Sequence, residues 1–169
     1  RDASTSEETY MEVIRGKTAM LFEASSHSAA VLAGADEVQT EALRVFGDHL
    51  GVAFQLMDDL LDYRGDAQAM GKNVGDDLAE GKPTLPLIHA MREGTPAQAE
   101  LVRKAIQQGG SQDIESIRAT VEAAGSLDYT AQLARDFAEK AIQCLSTLPA
   151  SQYRDALSEL TRFAVARSN

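Results

Sequence analysis

The sequence predicts an all-α helical bundle. Apolar residues recur with three-and-four spacing over long stretches, and glycine, proline, serine and threonine fall between these stretches. No stretch alternates polar and apolar residues as a strand does, and there is no internal repeat or low-complexity tract. The chain has 169 residues, of which 44% are hydrophobic, enough to bury a continuous core. We therefore expect residues 1–169 to form a single all-helical domain or a large part of one.

The predicted helices follow in order along the chain. A capping box at Thr5 and Glu8 precedes the first helix, which we expect to run from Tyr10 to Leu32. Gly34 ends this helix, and apolar periodicity predicts a second helix from Asp36 to Tyr63. Caps and helix-ending glycines then predict five shorter helices, at about 84–93, 96–108, 111–124, 127–147 and 151–167.

Composition excludes several classes of protein. The net charge of −10 argues against broad contact with nucleic acid or an anionic bilayer, because both would repel the chain. Cys144 is the only cysteine, so the chain can form neither an internal disulfide nor a zinc ribbon. No apolar run approaches the ~20 residues needed to span a membrane. We therefore expect a cytoplasmic protein with no stable membrane insertion and no nucleic-acid partner.

The first chemical feature is the acidic motif DDLLD at positions 58–62, inside the second predicted helix. Asp58 and Asp62 are one turn apart and project from one face, with Gln55 just before them. Like charges at this spacing repel by roughly 0.2–0.5 kcal/mol per pair on an exposed helix. A hard divalent cation would offset this repulsion, and Mg²⁺ takes a few carboxylates together with phosphate oxygens of a substrate. The alternative is a solvated acidic face without a ligand.

The second feature is Lys17, in the segment RGKT at positions 15–18. Helical spacing places its side chain within the apolar stripe of the first predicted helix. An unpaired ammonium group is strongly disfavoured in such a position. We therefore expect Lys17 to face a cleft and bind an anionic ligand, unless it reaches solvent or pairs with a structural aspartate.

The third feature is the segment from Gly71 to Thr84, which begins with Gly-Lys and has a second Gly-Lys near its end. Its lysines, Lys72 and Lys82, stand ten positions apart around a pair of aspartates. Glycine lets the backbone approach a ligand closely, and lysine supplies a point charge for phosphate. Acids for Mg²⁺ and lysines for phosphate together suggest a diphosphate substrate. The alternative is a hinge loop with solvated charges.

In combination, these motifs resemble the trans-isoprenyl (polyprenyl) diphosphate synthases. The matching stretches, in the family's order and spacing, are GKTA at 16–19, FQLMDDLLD at 54–62, residues 71–77 and EGKPTLP at 80–86. Residues 71–91 are most similar to the bacterial octaprenyl type, which makes the ubiquinone side chain. The resemblance implies an isoprenoid synthase bundle that condenses an allylic diphosphate with isopentenyl diphosphate, with Mg²⁺ as cofactor, and that forms a homodimer.

The resemblance also implies roles for individual residues. The metal would be bound by Asp58, Asp59, Asp62 and Asp77, with Asp59 in support. The allylic diphosphate would be held by Lys17, Thr18, Gln55, Lys72 and Lys82. Asp58, Asp62 and Lys17 would be catalytic, because their charge or the charge they hold stabilises the departing diphosphate.

The match is to the C-terminal half of that family. Its first Asp-rich motif and its site for isopentenyl diphosphate do not occur in this sequence, so we expect the chain alone to be inactive. Two alternatives remain open. Asn73, Asp76 and Glu80 have the spacing of the second metal motif of class I terpene cyclases, although Asp76 replaces a serine or threonine. The other alternative is a non-catalytic helical fragment that only dimerises.

Overall fold

The computed structural model describes residues 1–64, 75–109 and 114–166. Every regular element within these ranges is helical, which confirms the all-α prediction. The chain divides into two compact units, one of Arg1–Tyr10 with Asp58–Ala131 and the other of Met11–Met57 with Gln132–Asn169. None of the described helices is long and apolar enough to cross a bilayer. The interpretation of residues 1–169 as one domain portion stays a prediction.

The first predicted helix is interrupted by a wider turn. Helix α1 covers Glu7–Ile14 and helix α2 covers Met20–Leu32, and between them Arg15–Ala19 form a π-helical turn. Such a turn is closed by bonds five residues apart instead of four, so it shifts the faces of the helix that follows. The hydroxyl of Ser6 accepts a hydrogen bond from the backbone N–H of Thr9 at 3.1 Å, so the N-cap of α1 is Ser6 and not Thr5.

Helix α3 runs over Glu37–Arg64, within one residue of the prediction at each end. Its C-terminal half carries fully buried apolar side chains, including Val52, Leu56 and Leu60, each 0% exposed. Val38, at the other end of the predicted apolar stripe, is 68% exposed. The part of α3 that carries the acidic motif is therefore the part most firmly fixed by packing.

Two glycines allow α3 to approach its neighbours with backbone against backbone. A Cβ atom on Gly47 would lie 2.5 Å from the carbonyl oxygen of Phe22. A Cβ atom on Gly51 would lie 2.5 Å from the Cα atom of Ala19, in the π-helical turn. Neither distance admits a side chain, so the close contact of α3 with α2 and the π-helical turn depends on glycine.

The remaining helices agree with the predicted stretches to within a few residues. The segment between α3 and residue 84 was expected to be irregular, but its described part, residues 75–84, contains a short helix, α4 (Asp76–Ala79), which follows Gly75 at φ +86°. The others are α5 (Leu85–Glu93), α6 (Pro96–Gln108), α7 (Ile114–Ala123), α8 (Ser126–Cys144) and α9 (Gln152–Ala166). The sequence Leu145–Thr147 adds a 3₁₀ turn after α8. Thr95 caps α6 through a complete capping box.

Each compact unit has its own apolar cluster. The cluster of the first unit consists of Tyr63, Leu78, Leu87, Ala90, Val102, Ile106, Ile117 and Val121. The cluster of the second unit consists of Phe46, Leu50, Ala141, Leu145 and Ala164. Tyr63 directly follows the last aspartate of the acidic motif, so the first cluster anchors the end of α3 that carries this motif.

Candidate diphosphate and metal site

The acidic motif lies on the last turns of α3, and its three carboxylates differ in exposure. Asp58 and Asp62 are partly exposed, whereas Asp59 is buried, with 4% of its surface exposed. Helical rotation of about 100° per residue places Asp58 and Asp62 on one face and turns Asp59 toward the buried side. The structure therefore separates the motif into two accessible carboxylates and one enclosed carboxylate.

The enclosed carboxylate has a tyrosine partner. The Tyr10 hydroxyl donates a hydrogen bond to Oδ2 of Asp59 at 2.5 Å, and Tyr10 itself is 5% exposed. Burial, reinforced by the negative charge of Asp59, raises the pKa of the Tyr10 phenol well above its usual value, so the hydroxyl keeps its proton. The two residues lie 49 positions apart, and no local sequence pattern connects them.

Asp62 is joined to the segment that contains α4. The backbone N–H of Gly75 donates to the carbonyl oxygen of Asp62 at 3.1 Å, and that of Asp77 donates to the Asp62 carboxylate at 3.2 Å. Burial, and then the charge of Asp77, raises the pKa of Asp62 to about 6. The structure thus brings together two of the predicted metal ligands, and their mutual repulsion favours a cation between or beside them.

Lys82 forms ion pairs with Asp77 and with Glu80. Its Nζ atom is 2.9 Å from Oδ1 of Asp77 and 2.7 Å from Oε2 of Glu80. These contacts, Asp77 first, raise the pKa of Lys82 above its usual value, so the ammonium group stays charged. The lysine side chain is still 45% exposed and can therefore reach an anion. Lys72, the other lysine predicted from this segment, lies outside the described residues.

Thr18 and Gln55 form a separate contact in the second unit. The Thr18 hydroxyl donates to Oε1 of Gln55 at 2.7 Å, which joins the π-helical turn to α3. Lys17 is exposed, so the prediction that it lies in an apolar stripe was wrong. The wider turn shifts the helical register, and the expected stripe neighbours Val13 and Met20 are themselves 56% and 55% exposed.

The carboxylates of the site favour a hard divalent cation. Asp58, Asp62 and Asp77 offer hard carboxylate oxygens, the ligand type of Mg²⁺ and Ca²⁺. Among the described residues, no three His, Cys, Asp or Glu side chains are close enough to hold a metal ion by themselves. Mg²⁺ commonly binds through one or two carboxylates and substrate phosphates instead of an all-protein cage. The carboxylates therefore fit a Mg²⁺ ion whose remaining ligands come from a diphosphate and water.

The match to known proteins agrees with this chemistry. Residues 1–124 match the family described as polyprenyl synthetase. The chain belongs to this family. The resemblance found in the motifs is therefore confirmed, and with it the isoprenoid synthase type of helical fold.

Individual relatives within the polyprenyl synthetase family make long products. The chain is 51% identical over 168 residues to the octaprenyl diphosphate synthase of Haemophilus influenzae, covering 99% of the chain and 51% of that enzyme. A polyprenyl synthase of Caulobacter crescentus, solved in complex with calcium and isoprenyl diphosphate, matches with a TM-score of 0.92 at 45% identity. A decaprenyl diphosphate synthase of Rhodobacter capsulatus matches with a TM-score of 0.91 at 38% identity. Each of the two structural matches covers 99% of this chain and 52% of the other, so the chain spans about half the length of these relatives.

Proposed function

We propose that this chain contributes the second acidic motif and part of the diphosphate-binding site to a long-chain polyprenyl diphosphate synthase. The enzyme would extend an allylic diphosphate with isopentenyl diphosphate, and its product would serve as a quinone side chain. The observation that carries the proposal is the approach of Asp77 to Asp62, together with the ion pair between Asp77 and Lys82. The octaprenyl and decaprenyl products of two relatives support a long chain over a cyclic product.

We expect Mg²⁺ as the cation, bound by Asp58 and Asp62 together with diphosphate oxygens, with Asp59 in support and Asp77 reaching the same ion through water. When bound, Mg²⁺ supplies the positive charge that favours departure of the diphosphate from the allylic carbon. The raised pKa of Asp62 supports this assignment, because burial and then the charge of Asp77 disfavour the ionised carboxylate, and a bound cation would offset both effects. The Caulobacter crescentus relative was solved with calcium, another cation that prefers oxygen ligands.

The lysine and hydroxyl groups would bind and orient the allylic diphosphate. Lys82 would exchange Asp77 and Glu80 for a diphosphate oxygen, which releases the Asp77 carboxylate for the metal. The resemblance assigns Lys17, Thr18, Gln55 and Lys72 to the same substrate, and the bond from Thr18 to Gln55 would fix the direction of the threonine hydroxyl. Positive charge aimed at the leaving group lowers the barrier to its departure. The double bond of isopentenyl diphosphate then attacks the allylic cation, and a proton is lost.

Titration calorimetry of this chain tests the binding part of the proposal. The chain should bind inorganic diphosphate in the presence of Mg²⁺ and much more weakly in its absence. Lys82→Ala should weaken this binding, whereas Lys104→Ala, which removes an exposed lysine paired only loosely with Glu100 at 3.8 Å, should leave it unchanged. The absence of heat with the unmodified chain would instead support a non-catalytic helical fragment.

Product analysis tests the catalytic part. The chain can be completed with the half of the Haemophilus influenzae synthase that it does not match, and the chimera supplied with both substrates. Mass spectrometry should find linear prenyl diphosphates of increasing length. A cyclic hydrocarbon would support a class I terpene cyclase and contradict the proposal.

We also propose that the whole enzyme is a homodimer. The chain supports this through large apolar side chains that are exposed in the second unit, among them Val31 at 59%, Leu32 at 88% and Val38 at 68%. Sedimentation of the chimera should show a dimer at micromolar concentration. A monomer under these conditions would contradict the proposal.

A further inference from the structure

We propose that Tyr10 is a positioning residue for the acidic motif. Tyr10 acts through the Asp59 carboxylate, and Asp59 is not itself a ligand of the metal. This inference rests on the proposed function. Tyr10 lies at the start of the chain, in α1, far in sequence from the motif that it contacts. No feature of the sequence motifs assigns it a role in binding or catalysis.

Burial and geometry together support the role of Tyr10. Tyr10 is 5% exposed and Asp59 is 4% exposed, so the hydrogen bond between them is shielded from competing water. The O–H···O distance of 2.5 Å lies at the short end of the range for a hydroxyl that donates to a carboxylate. Hydrogen bonds to charged groups are among the stronger ones in proteins, and their loss leaves a buried charge poorly satisfied. Tyr10 therefore fixes the direction of Asp59 firmly.

The position of Asp59 on α3 explains how this effect would reach the metal ligands. About 40° of helical rotation separates Asp58 from Asp62, while Asp59 lies about 100° from Asp58. The same rotation places Asp59 about 40° from Tyr63, which is 1% exposed in the apolar cluster of the first unit. Asp59 thus belongs to the buried side of the helix. Holding it sets the rotation of the last turns of α3 and therefore the directions in which Asp58 and Asp62 project.

The protein provides a matched control for this hydrogen bond. Tyr129 on α8 also donates its hydroxyl to a carboxylate, Oε1 of Glu7, at 2.7 Å. Glu7 lies on α1, the helix that carries Tyr10, but this bond does not involve the acidic motif. Tyr129→Phe therefore removes a comparable attachment of α1 without touching any of the three aspartates.

The first experiment compares Tyr10→Phe with Tyr129→Phe in the complete 169-residue chain. Thermal unfolding is followed at fixed inorganic diphosphate over a series of Mg²⁺ concentrations, and the readout is the Mg²⁺ concentration that gives half of the maximal stabilisation. Both variants should unfold at a lower temperature without ligand, because each loses a hydrogen bond. Only Tyr10→Phe should raise the half-maximal Mg²⁺ concentration, by about tenfold, the factor expected when one hydrogen bond to a charged group is lost. Equal effects in the two variants would mean a merely structural role and would overturn the inference.

The second experiment asks whether Asp59 is itself a ligand. Asp59→Asn keeps an oxygen that can accept the Tyr10 hydroxyl but removes the charge, so the half-maximal Mg²⁺ concentration should stay within about threefold of the unmodified chain. Asp58→Asn should raise it by at least about tenfold, because an accessible charged ligand is lost. Comparable losses in the two variants would make Asp59 a ligand and overturn the inference. A failure of Mg²⁺ and diphosphate to stabilise even the unmodified chain would instead refute the proposed function on which the inference rests.

Discussion

Replacing Asp62 with asparagine should stabilise the ligand-free protein while weakening its response to Mg²⁺ and diphosphate. The half-buried Asp62 carboxylate lies against Asp77, and burial followed by the charge of Asp77 raises its pKa from 3.8 to about 6. In the folded chain the ionised form is therefore less stable than it is in the unfolded chain. Asparagine has no such charge, so the variant avoids this loss of folding free energy at neutral pH.

The expected magnitude follows from the two pKa values. A change from 3.8 to about 6 would correspond to about 3 kcal/mol for a group fully removed from water. The carboxyl group is only half-buried, so screening by solvent reduces this to about 1 kcal/mol. For a chain of this length, 1 kcal/mol shifts the melting temperature by about 2–4 °C.

The sign of the pH dependence is equally specific. Below pH 3.8 the carboxyl group is protonated in both states, and between 3.8 and about 6 it ionises in the unfolded chain first. The folded protein therefore loses stability relative to the variant over this interval, and the difference is constant above it. Melting temperatures measured from pH 4 to pH 7 without ligand should show the advantage of Asp62→Asn growing with pH and levelling off near pH 6.

A control and a second condition complete the test. Asp136→Asn, at an exposed position on α8, controls for the loss of one carboxylate, and the advantage of Asp62→Asn is measured relative to it. With Mg²⁺ and diphosphate the order should reverse, because the unmodified chain gains more from the ligands. If Asp62→Asn is less stable than the unmodified chain at pH 7 without ligand, burial and the charge of Asp77 do not destabilise the ionised Asp62 carboxylate, and the reasoning fails.

Further predictions concern activity, packing and titration. In the completed chimera, Asp58→Ala should reduce incorporation of labelled isopentenyl diphosphate at saturating substrate by at least about 100-fold, with an unchanged ligand-free melting temperature. The 169-residue chain without the other half should incorporate none. Gly51→Ala should destabilise the protein by about 1–3 kcal/mol in denaturant unfolding, because its Cβ meets Ala19, whereas Gly16→Ala, with open space around its Cβ, should not. Burial lowers the pKa of His89 below its usual 6.5, so stability should fall as the pH drops below 6.5, and His89→Asn should flatten that decline in melting temperature.

The long central helix and its acidic face could be predicted because both depend on local periodicity. Apolar spacing and Gly34 placed α3 within one residue at each end, and helical rotation placed Asp58 and Asp62 on one face. Packing then buried Asp59, which the motif alone does not distinguish from its neighbours. Asp59 is buried and the other two aspartates are partly exposed because of where the apolar core lies, and the position of the core depends on the whole fold.

The parts of the site that could not be predicted depend on contacts distant in sequence or on an irregular turn. Tyr10 meets Asp59 across 49 positions, and Asp77 meets Asp62 across 15 positions. Lys17 was misplaced for another reason, because its assignment to a buried stripe assumed an uninterrupted α-helix. Periodicity carries no information about a turn that adds one residue.

The π-helical turn at Arg15–Ala19 has a consequence for how this segment tolerates insertions and deletions. Loss of a single residue there would let α1 and α2 join as one regular α-helix and rotate one relative to the other by about 100°. Ile14, now buried, and Ala19, which lies against Gly51, could not then keep their present surroundings together. A variant shortened by one residue would thus be expected to fail even if every remaining side chain were unchanged. In this segment the number of residues constrains the protein as strictly as their identity.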